Sequence, residues 1–184
     1  MNYCSQCGAR VTLRIPEGDS LPRHVCDACG AIHYQNPRMI VGCIPEWEDR
    51  ILLCRRAIEP RQGLWTVPAG FMENGETMAD GAAREALEEA VARVEIGPLY
   101  AMYNIPHINQ VYILFRARLL NEDFRAGAET LEAQLFAEAD IPWSEIAFAT
   151  VRNTLTHYFD DRRRGEYRFH MGTIERMSRP AANS

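Results

Sequence analysis

Lysine is absent from all 184 residues, so each of the 20 basic side chains is an arginine. That excludes Schiff-base lysine chemistry and a phosphate loop of the Gly-Lys-Ser/Thr kind. Phosphate has to be met by arginine, by backbone N–H groups or by a metal ion. Nothing approaches the roughly 20 consecutive apolar residues of a membrane-spanning helix, and Met1-Asn2-Tyr3-Cys4 begins no secretory signal. No membrane partner is expected. Positive charge is also in deficit. A net charge of −5 and a pI near 5.6 argue against a general nucleic-acid surface. Internal repeats and low-complexity tracts are missing. With 47% apolar residues the chain has material for one ordinary core plus a small appendage.

Cysteine is present, and it is patterned. Cys4-Ser5-Gln6-Cys7-Gly8 and Cys26-Asp27-Ala28-Cys29-Gly30 form two C-x-x-C-G knuckles with 18 residues between Cys7 and Cys26. The spacing matches a four-cysteine zinc ribbon, with Cys4, Cys7, Cys26 and Cys29 as ligands. A redox dithiol or two disulfides are the alternatives. His24 and His33 are spare ligands beside a set that four thiolates already complete. Cys43 and Cys54 sit in apolar runs and read as buried small hydrophobes. Reduced thiols and structural zinc both point to a cytoplasmic location.

The stretch from Gly70 to Glu89 is the most informative. It runs through Glu76 into a helical segment carrying Arg84, Glu85, Glu88 and Glu89. At about 100° per residue the last three glutamates share one face. Like charges at this spacing cost roughly 0.2–0.5 kcal/mol per pair unless something positive lies among them. Their oxygens are the hard ligands that Mg²⁺ or Mn²⁺ takes. The same residues also suit a solvated surface helix, with Arg84 pairing to Glu88 and Glu89 to Arg93.

Along the rest of the chain, residues 1–36 read as the ribbon and Asn36-Pro37 as the punctuation before a second domain over 37–184. Strands are expected at Met39–Ile44 and Arg50–Arg56, with Glu46-Trp47-Glu48-Asp49 as the hairpin between them. A short strand is expected at Leu64–Val67, entering a Pro68-Ala69-Gly70 loop. Thr77 is the N-cap candidate, with Asp80 three residues on, for a helix reaching about residue 91. Val94–Tyr103, Val111–Leu120 and Leu131–Phe136 read as strands, and Phe148, Val151, Leu155 and Phe159 mark one face of a last helix. Arg162-Arg163-Arg164 reads as its solvated end, and the segment from Gly165 as an edge strand or a tail. This order suggests an α/β fold, a mixed sheet between helices.

Gly70, five residues, Glu76, seven residues, then Arg-Glu-x-x-Glu-Glu resembles the box of the Nudix hydrolases. One position departs: Val91 stands where that pattern has a glycine in a left-handed turn, leaving the end of the helix open. The four-cysteine ribbon, Tyr34-Gln35-Asn36-Pro37, Gly63 to Gly70, Ile105 to Tyr112 and Phe169 to Ile174 are similar to the zinc-ribbon Nudix subfamily. That subfamily includes ADP-ribose pyrophosphatase-like proteins and FAD diphosphatases. Pro106, 14 residues past Ala92, stands about where ADP-ribose enzymes of the family carry a proline. Zinc-containing NADH pyrophosphatases are the neighbouring group, and their Ser-Gln-Pro-Trp-Pro-Phe-Pro string does not occur here.

The resemblance implies an α/β/α sandwich behind a zinc ribbon. It implies metal-dependent hydrolysis of the diphosphate in nucleoside diphosphate derivatives such as FAD or ADP-ribose. Glu85, Glu88 and Glu89, with the Gly70 carbonyl, would hold the Mg²⁺ or Mn²⁺. Arg84 would fix the glutamates and Glu76 the loop. The general base is either a box glutamate or Glu129 or Glu132 from a later loop, the latter two also reading as surface carboxylates. Arg55 and Arg56 are candidates for gripping phosphate, one of them facing solvent by alternation. Trp65 or Tyr112 would stack on a flat ring, or simply pack in the core. His107 reads as structural or as lying at the substrate's edge. A homodimer is expected. The competing readings are NADH or another nucleotide pyrophosphatase, a triphosphate-sanitising or cap-removing enzyme, and a zinc-ribbon adaptor on a Nudix scaffold.

Overall fold

Each C-x-x-C-G sequence folds into the same tight loop. The N–H of the glycine returns to the carbonyl of the first cysteine at 2.9 Å in both, and Gly8 and Gly30 share φ 74°. In the computed structural model, which describes residues 1–176, these loops belong to the first of two units, Met1–Pro37. Its strands β1 (Val11–Arg14), β2 (Arg23–Cys26) and β3 (Ile32–His33) form an antiparallel sheet in sequence order.

The second unit starts at Arg38. Its strands are β4 (Arg38–Trp47), β5 (Arg50–Arg56), β6 (Trp65–Thr66), β7 (Ala69–Phe71), β8 (Val94–Ile105), β9 (Gln110–Leu119), β10 (Thr130–Phe136) and β11 (His170–Thr173). The main path runs β10-β5-β4-β9-β8-β11, with β6 on β5 and β7 on β4. The pairs β4–β9 and β8–β11 are parallel and the others antiparallel, so the sheet is mixed.

Period-two alternation sorts the strand side chains to two faces. Val41, Cys43, Ile113 and Phe115 meet Ala82 and Ala86 of α1 (Met78–Ala90). Ile44, Leu53, Tyr112 and Leu114 meet Val151, Leu155 and Phe159 of α2 (Ala149–Arg164). The result is the expected α/β/α sandwich. Cys43 and Cys54 are buried, and burial pushes both thiols up, which keeps them protonated and inert.

Two local expectations change and one left open is decided. The first hairpin turns on Glu48-Asp49 alone, because Glu46 and Trp47 still pair with Ile51 and Arg50. Residues Ala69 and Gly70 are strand, not loop: β7 pairs with Ile40–Gly42 of β4. In the segment from Gly165, His170–Thr173 is an edge strand, β11 lying parallel beside β8, and residues 177–184 lie outside the described residues. The arginines at the end of α2 stay at the surface, Arg162 donating to the Asp49 carbonyl and Arg163 pairing with Glu138 and Asp160. Among the described residues no helix is long and apolar enough to cross a membrane.

Candidate functional site

The loop before α1 is tied down by a reciprocal cap. Thr77 accepts from the Asp80 N–H at 3.1 Å, and the Asp80 carboxylate accepts from the Thr77 N–H at 3.4 Å. From the helix so started, Arg84 reaches across the loop. Its guanidinium donates to both oxygens of Glu76 (2.9 and 2.8 Å), to Glu85 (2.7 Å), to Glu88 (3.0 Å) and to the Phe71 carbonyl (3.1 Å). Arg84 thus occupies the like-charge gap that helical spacing leaves open. Glu76 also accepts the Glu73 N–H at 2.7 Å. The bond from Arg84, with that N–H, holds its carboxyl down at about 2. Glu76 thus bonds both α1, through Arg84, and its own loop, through the Glu73 N–H.

The three glutamates line one cavity of about 850 Å³. Glu85 and Glu89 are buried, whereas Glu88 is exposed. Burial pushes the Glu89 carboxyl up to about 8, against a single N–H donated by Ala69 at 3.1 Å. Burial likewise raises Glu85, with Arg84 opposing it. Gly70 meets Glu85 directly: a Cβ there would lie 2.4 Å from its carboxylate oxygen, so a larger residue would fill the space between strand and helix. The glutamates share the cavity but are not drawn into a tight cluster. Among the described residues, only the four ribbon cysteines bring their metal-binding atoms within 4.8 Å of one another.

The helix ends at Val91, and in the left-handed conformation (φ 49°, ψ 25°) that the sequence position had put in question. A β-branched residue accepts this strained backbone because its surroundings hold it. The Ala92 N–H bonds the Ala86 carbonyl, while Arg125 and Gly127 donate to the carbonyls of Ala90 and Glu89.

The remaining sequence candidates divide. Arg56 and Glu129 line the cavity together; the Glu129 carbonyl accepts the Ala57 N–H, and Arg56 donates to the Pro60 carbonyl and lies 5.2 Å over the Phe148 ring. Their neighbours lie elsewhere. Arg55 donates to the Gly63 carbonyl and sits 3.9 Å from Glu132, and neither residue lines the cavity. A bulge between Thr130 and Glu132 separates the two carboxylates. Tyr112 is buried in the cavity wall; Trp65 packs edge-on against Phe136 in the core, 4.9 Å between centroids. His107 lines the rim in a 3₁₀ turn.

Residues not anticipated as site residues supply apolar lining to this cavity: Ile58, Phe71, Ile105, Ile108, Phe148 and Ile174. Phe148 shares the 3.6-residue pattern of α2 but precedes it as the N-cap residue and faces the cavity instead of only the core. Phe71 lies inside the box itself, beside Gly70, and that position was the available signal for it.

In the first unit the four thiols are free. Cys4 and Cys29 Sγ lie 3.7 Å apart, Cys7 and Cys26 Sγ 3.5 Å. A tetrahedron with Zn–S of 2.3 Å has edges of about 3.8 Å, so the four sulfurs fit zinc. His33 Nε2 lies 3.2 Å from Cys4 Sγ, outside the set of four thiols.

Comparison with known proteins agrees with this division. The family described as Nudix N-terminal matches residues 2–35, and the NUDIX domain family matches residues 36–159. The ADP-ribose pyrophosphatase of Methanocaldococcus jannaschii is 30% identical over 59% of this chain and 67% of its own. The NAD-capped RNA hydrolase NudC of Vibrio parahaemolyticus is 29% identical over 88% of this chain and 62% of its own, so the chain spans less than two thirds of that protein. A NUDIX hydrolase from Nitrosomonas europaea, known from a crystal structure, is 60% identical with a TM-score of 0.94, covering 96% of this chain and all of that one (100%).

Proposed function

Because the chain belongs to the NUDIX family, we propose that it hydrolyses the diphosphate bridge of nucleoside diphosphate derivatives with the help of Mg²⁺ or Mn²⁺. ADP-ribose and FAD are the substrates we favour. The observation that carries this reading is the cavity itself. Its wall combines Glu85, Glu88, Glu89, Glu129 and Arg56 with Phe71, Phe148 and several isoleucines. The carboxylates suit divalent cations and the phosphates they carry; the apolar side chains suit a base or another flat group.

Glu85, Glu88 and Glu89 would hold the cation, with the Gly70 carbonyl as a further donor. The donor set fits, since Glu89 is a buried carboxylate whose burial leaves it short of positive partners. What such a cation supplies is charge neutralisation and Lewis-acid polarisation at the bridging phosphates. Arg84 keeps Glu85 and Glu88 in place and is saturated by its own partners, so it does not reach for substrate. Among the described residues Arg56 forms no ion pair with a carboxylate, and it grips phosphate. Glu129 is the general base, exposed in the cavity wall where it can take a proton from the attacking water. Glu132, across the bulge and facing Arg55, takes no part in this scheme. Cys4, Cys7, Cys26 and Cys29 would hold one zinc, and four thiolates leave it no open position, so its role is structural. Small nucleotides are the partners, and the active form is a homodimer by its resemblance to ADP-ribose-cleaving relatives.

The relatives' names favour the same class: one is an ADP-ribose pyrophosphatase, and NudC acts on NAD-capped RNA. An NADH-type substrate is the second reading on the latter ground. The test is a hydrolysis panel of FAD, ADP-ribose, NADH, diadenosine polyphosphates and dNTPs with Mg²⁺ or Mn²⁺, products resolved by chromatography. Cleavage at the diphosphate that stops in EDTA is expected. Full turnover after all metal is removed would overturn the proposal.

A further inference from the structure

The carbonyls at the end of α1 are satisfied from outside the helix. Arg125 donates its N–H to the Ala90 carbonyl and Gly127 donates to the Glu89 carbonyl, both at 2.9 Å. The loop between β9 and β10 therefore closes the C-terminal turn that carries Glu88 and Glu89. Two residues further on, the same loop delivers Glu129 to the cavity. Gly127 makes this approach possible. A Cβ at this position would stand 1.8 Å from the Glu88 carbonyl oxygen and 3.0 Å from the Glu89 carbonyl carbon. The contact is with helix backbone, which cannot swing aside as a side-chain tip can. Unlike Gly75 or Gly165, Gly127 has no positive φ, so conformation alone does not demand glycine. Close approach does.

We propose that Gly127 is a positioning residue: by seating the loop against the last turn of α1, it sets Glu129 relative to Glu85, Glu88 and Glu89. The inference rests on the reading of Glu129 as general base given above. The strand beyond the loop supports it. The Gly127 carbonyl accepts the Thr130 N–H, Ala57 N–H holds the Glu129 carbonyl, and the bulge after Thr130 lets the loop leave the β5 ladder and turn Glu129 inward. One glycine thus joins two groups that the sequence separates by 40 residues (89 to 129).

The test is Gly127→Ala in the full chain with Mg²⁺ and ADP-ribose, alongside Glu129→Gln and the double variant. A misplacement on the order of 1 Å costs about 100-fold in rate, so kcat of G127A should fall by roughly that factor with KM changed less than about threefold. If Gly127 acts through Glu129, the double variant loses no more than E129Q alone. Ala126→Ser, at an exposed neighbour, should be silent. Retention of kcat within threefold in G127A, or losses that multiply in the double variant, overturns the inference. A second measurement needs neither turnover nor a folded variant. In the unmodified protein the Arg125 and Gly127 amides should exchange with solvent as slowly as Ala92, and free exchange of those two would also overturn it. A wild type that cleaves no nucleotide diphosphate would instead defeat the proposed function and leave the exchange result to decide the clamp.

Discussion

Glu89 and Val91, two residues apart at the end of α1, are both held in states that they would not choose in water. Glu89 is a carboxylate pressed into the protein with one N–H for company and pushed up to about 8. Its retention makes sense if its charge is used. Glu89→Gln keeps the shape and the Ala69 contact but removes the charge. It should lower kcat by at least about 100-fold, while the melting temperature in EDTA at pH 8 stays level or rises. A large activity retained with a lower melting temperature would mark Glu89 as structural. Val91 illustrates the converse, a strain with no chemical use. A left-handed L-residue costs roughly 1–2 kcal/mol, part of which glycine gives back through a more flexible unfolded chain. Val91→Gly should therefore stabilise by about 0.5–1 kcal/mol, a rise of roughly 1–4 °C in melting temperature. A fall would show that the half-buried valine side chain contributes more by packing than its backbone costs.

Elements were legible in the sequence in proportion to how local their causes are. The Thr77–Asp80 cap, the α1 glutamate face and the long strands follow from spacing within a dozen residues, and each is found where spacing places it. β7 was read as loop because Ala69-Gly70-Phe71 has no alternation of its own; it becomes strand by pairing with β4. The apolar lining of the cavity is hidden for the same reason, since Ile58, Phe148 and Ile174 come from three distant segments. β11 is a further case, fastened by a partner it could not announce. Asp161, on the last turns of α2, is buried and accepts from the Tyr100 hydroxyl of β8 (2.9 Å), the Arg168 N–H (3.1 Å) and the His170 ring of β11 (2.7 Å). The His170 ring stacks in turn on His157 at 4.1 Å. Burial alone would push the Asp161 carboxyl up, but these donors outweigh it and hold it at about 2, below its ordinary 3.8. A depressed acid contributes stability that is present above about pH 4 and lost as pH falls through 2. The amount is roughly 2 kcal/mol. Asp161→Asn should cost about that much at pH 7 in urea unfolding, and the gap to wild type should narrow below pH 4. A gap independent of pH would mean packing, not charge, fastens β11.

At the scale of the whole molecule, the sandwich sets one chemistry against many possible substrates. In the proposed reaction any nucleoside diphosphate derivative offers the same bridge to Glu85, Glu88 and Glu89, so the carboxylates would not choose among them. Choice would fall to the apolar lining, where Phe71 and Phe148 face the cavity and Trp65, a sequence candidate for stacking, does not. Sequence offers aromatics for stacking on a flat ring but not which of them would meet it, because that depends on how β7 and α2 converge. A wide ring such as isoalloxazine gains about 0.5–1.5 kcal/mol from aromatic contact beyond its buried area, close to tenfold in affinity at most. Preference is expected, not exclusivity. FAD should be cleaved to FMN and AMP, ADP-ribose to AMP and ribose 5-phosphate, and NADH with a lower kcat/KM than either. Phe148→Ala should reduce the FAD value by about tenfold and leave that of ADP-ribose less affected, because only FAD places a second large ring beyond the bridge. If NADH gives the highest kcat/KM of the three, the subfamily reading fails, and the proposed metal-dependent cleavage at the box glutamates is left untouched.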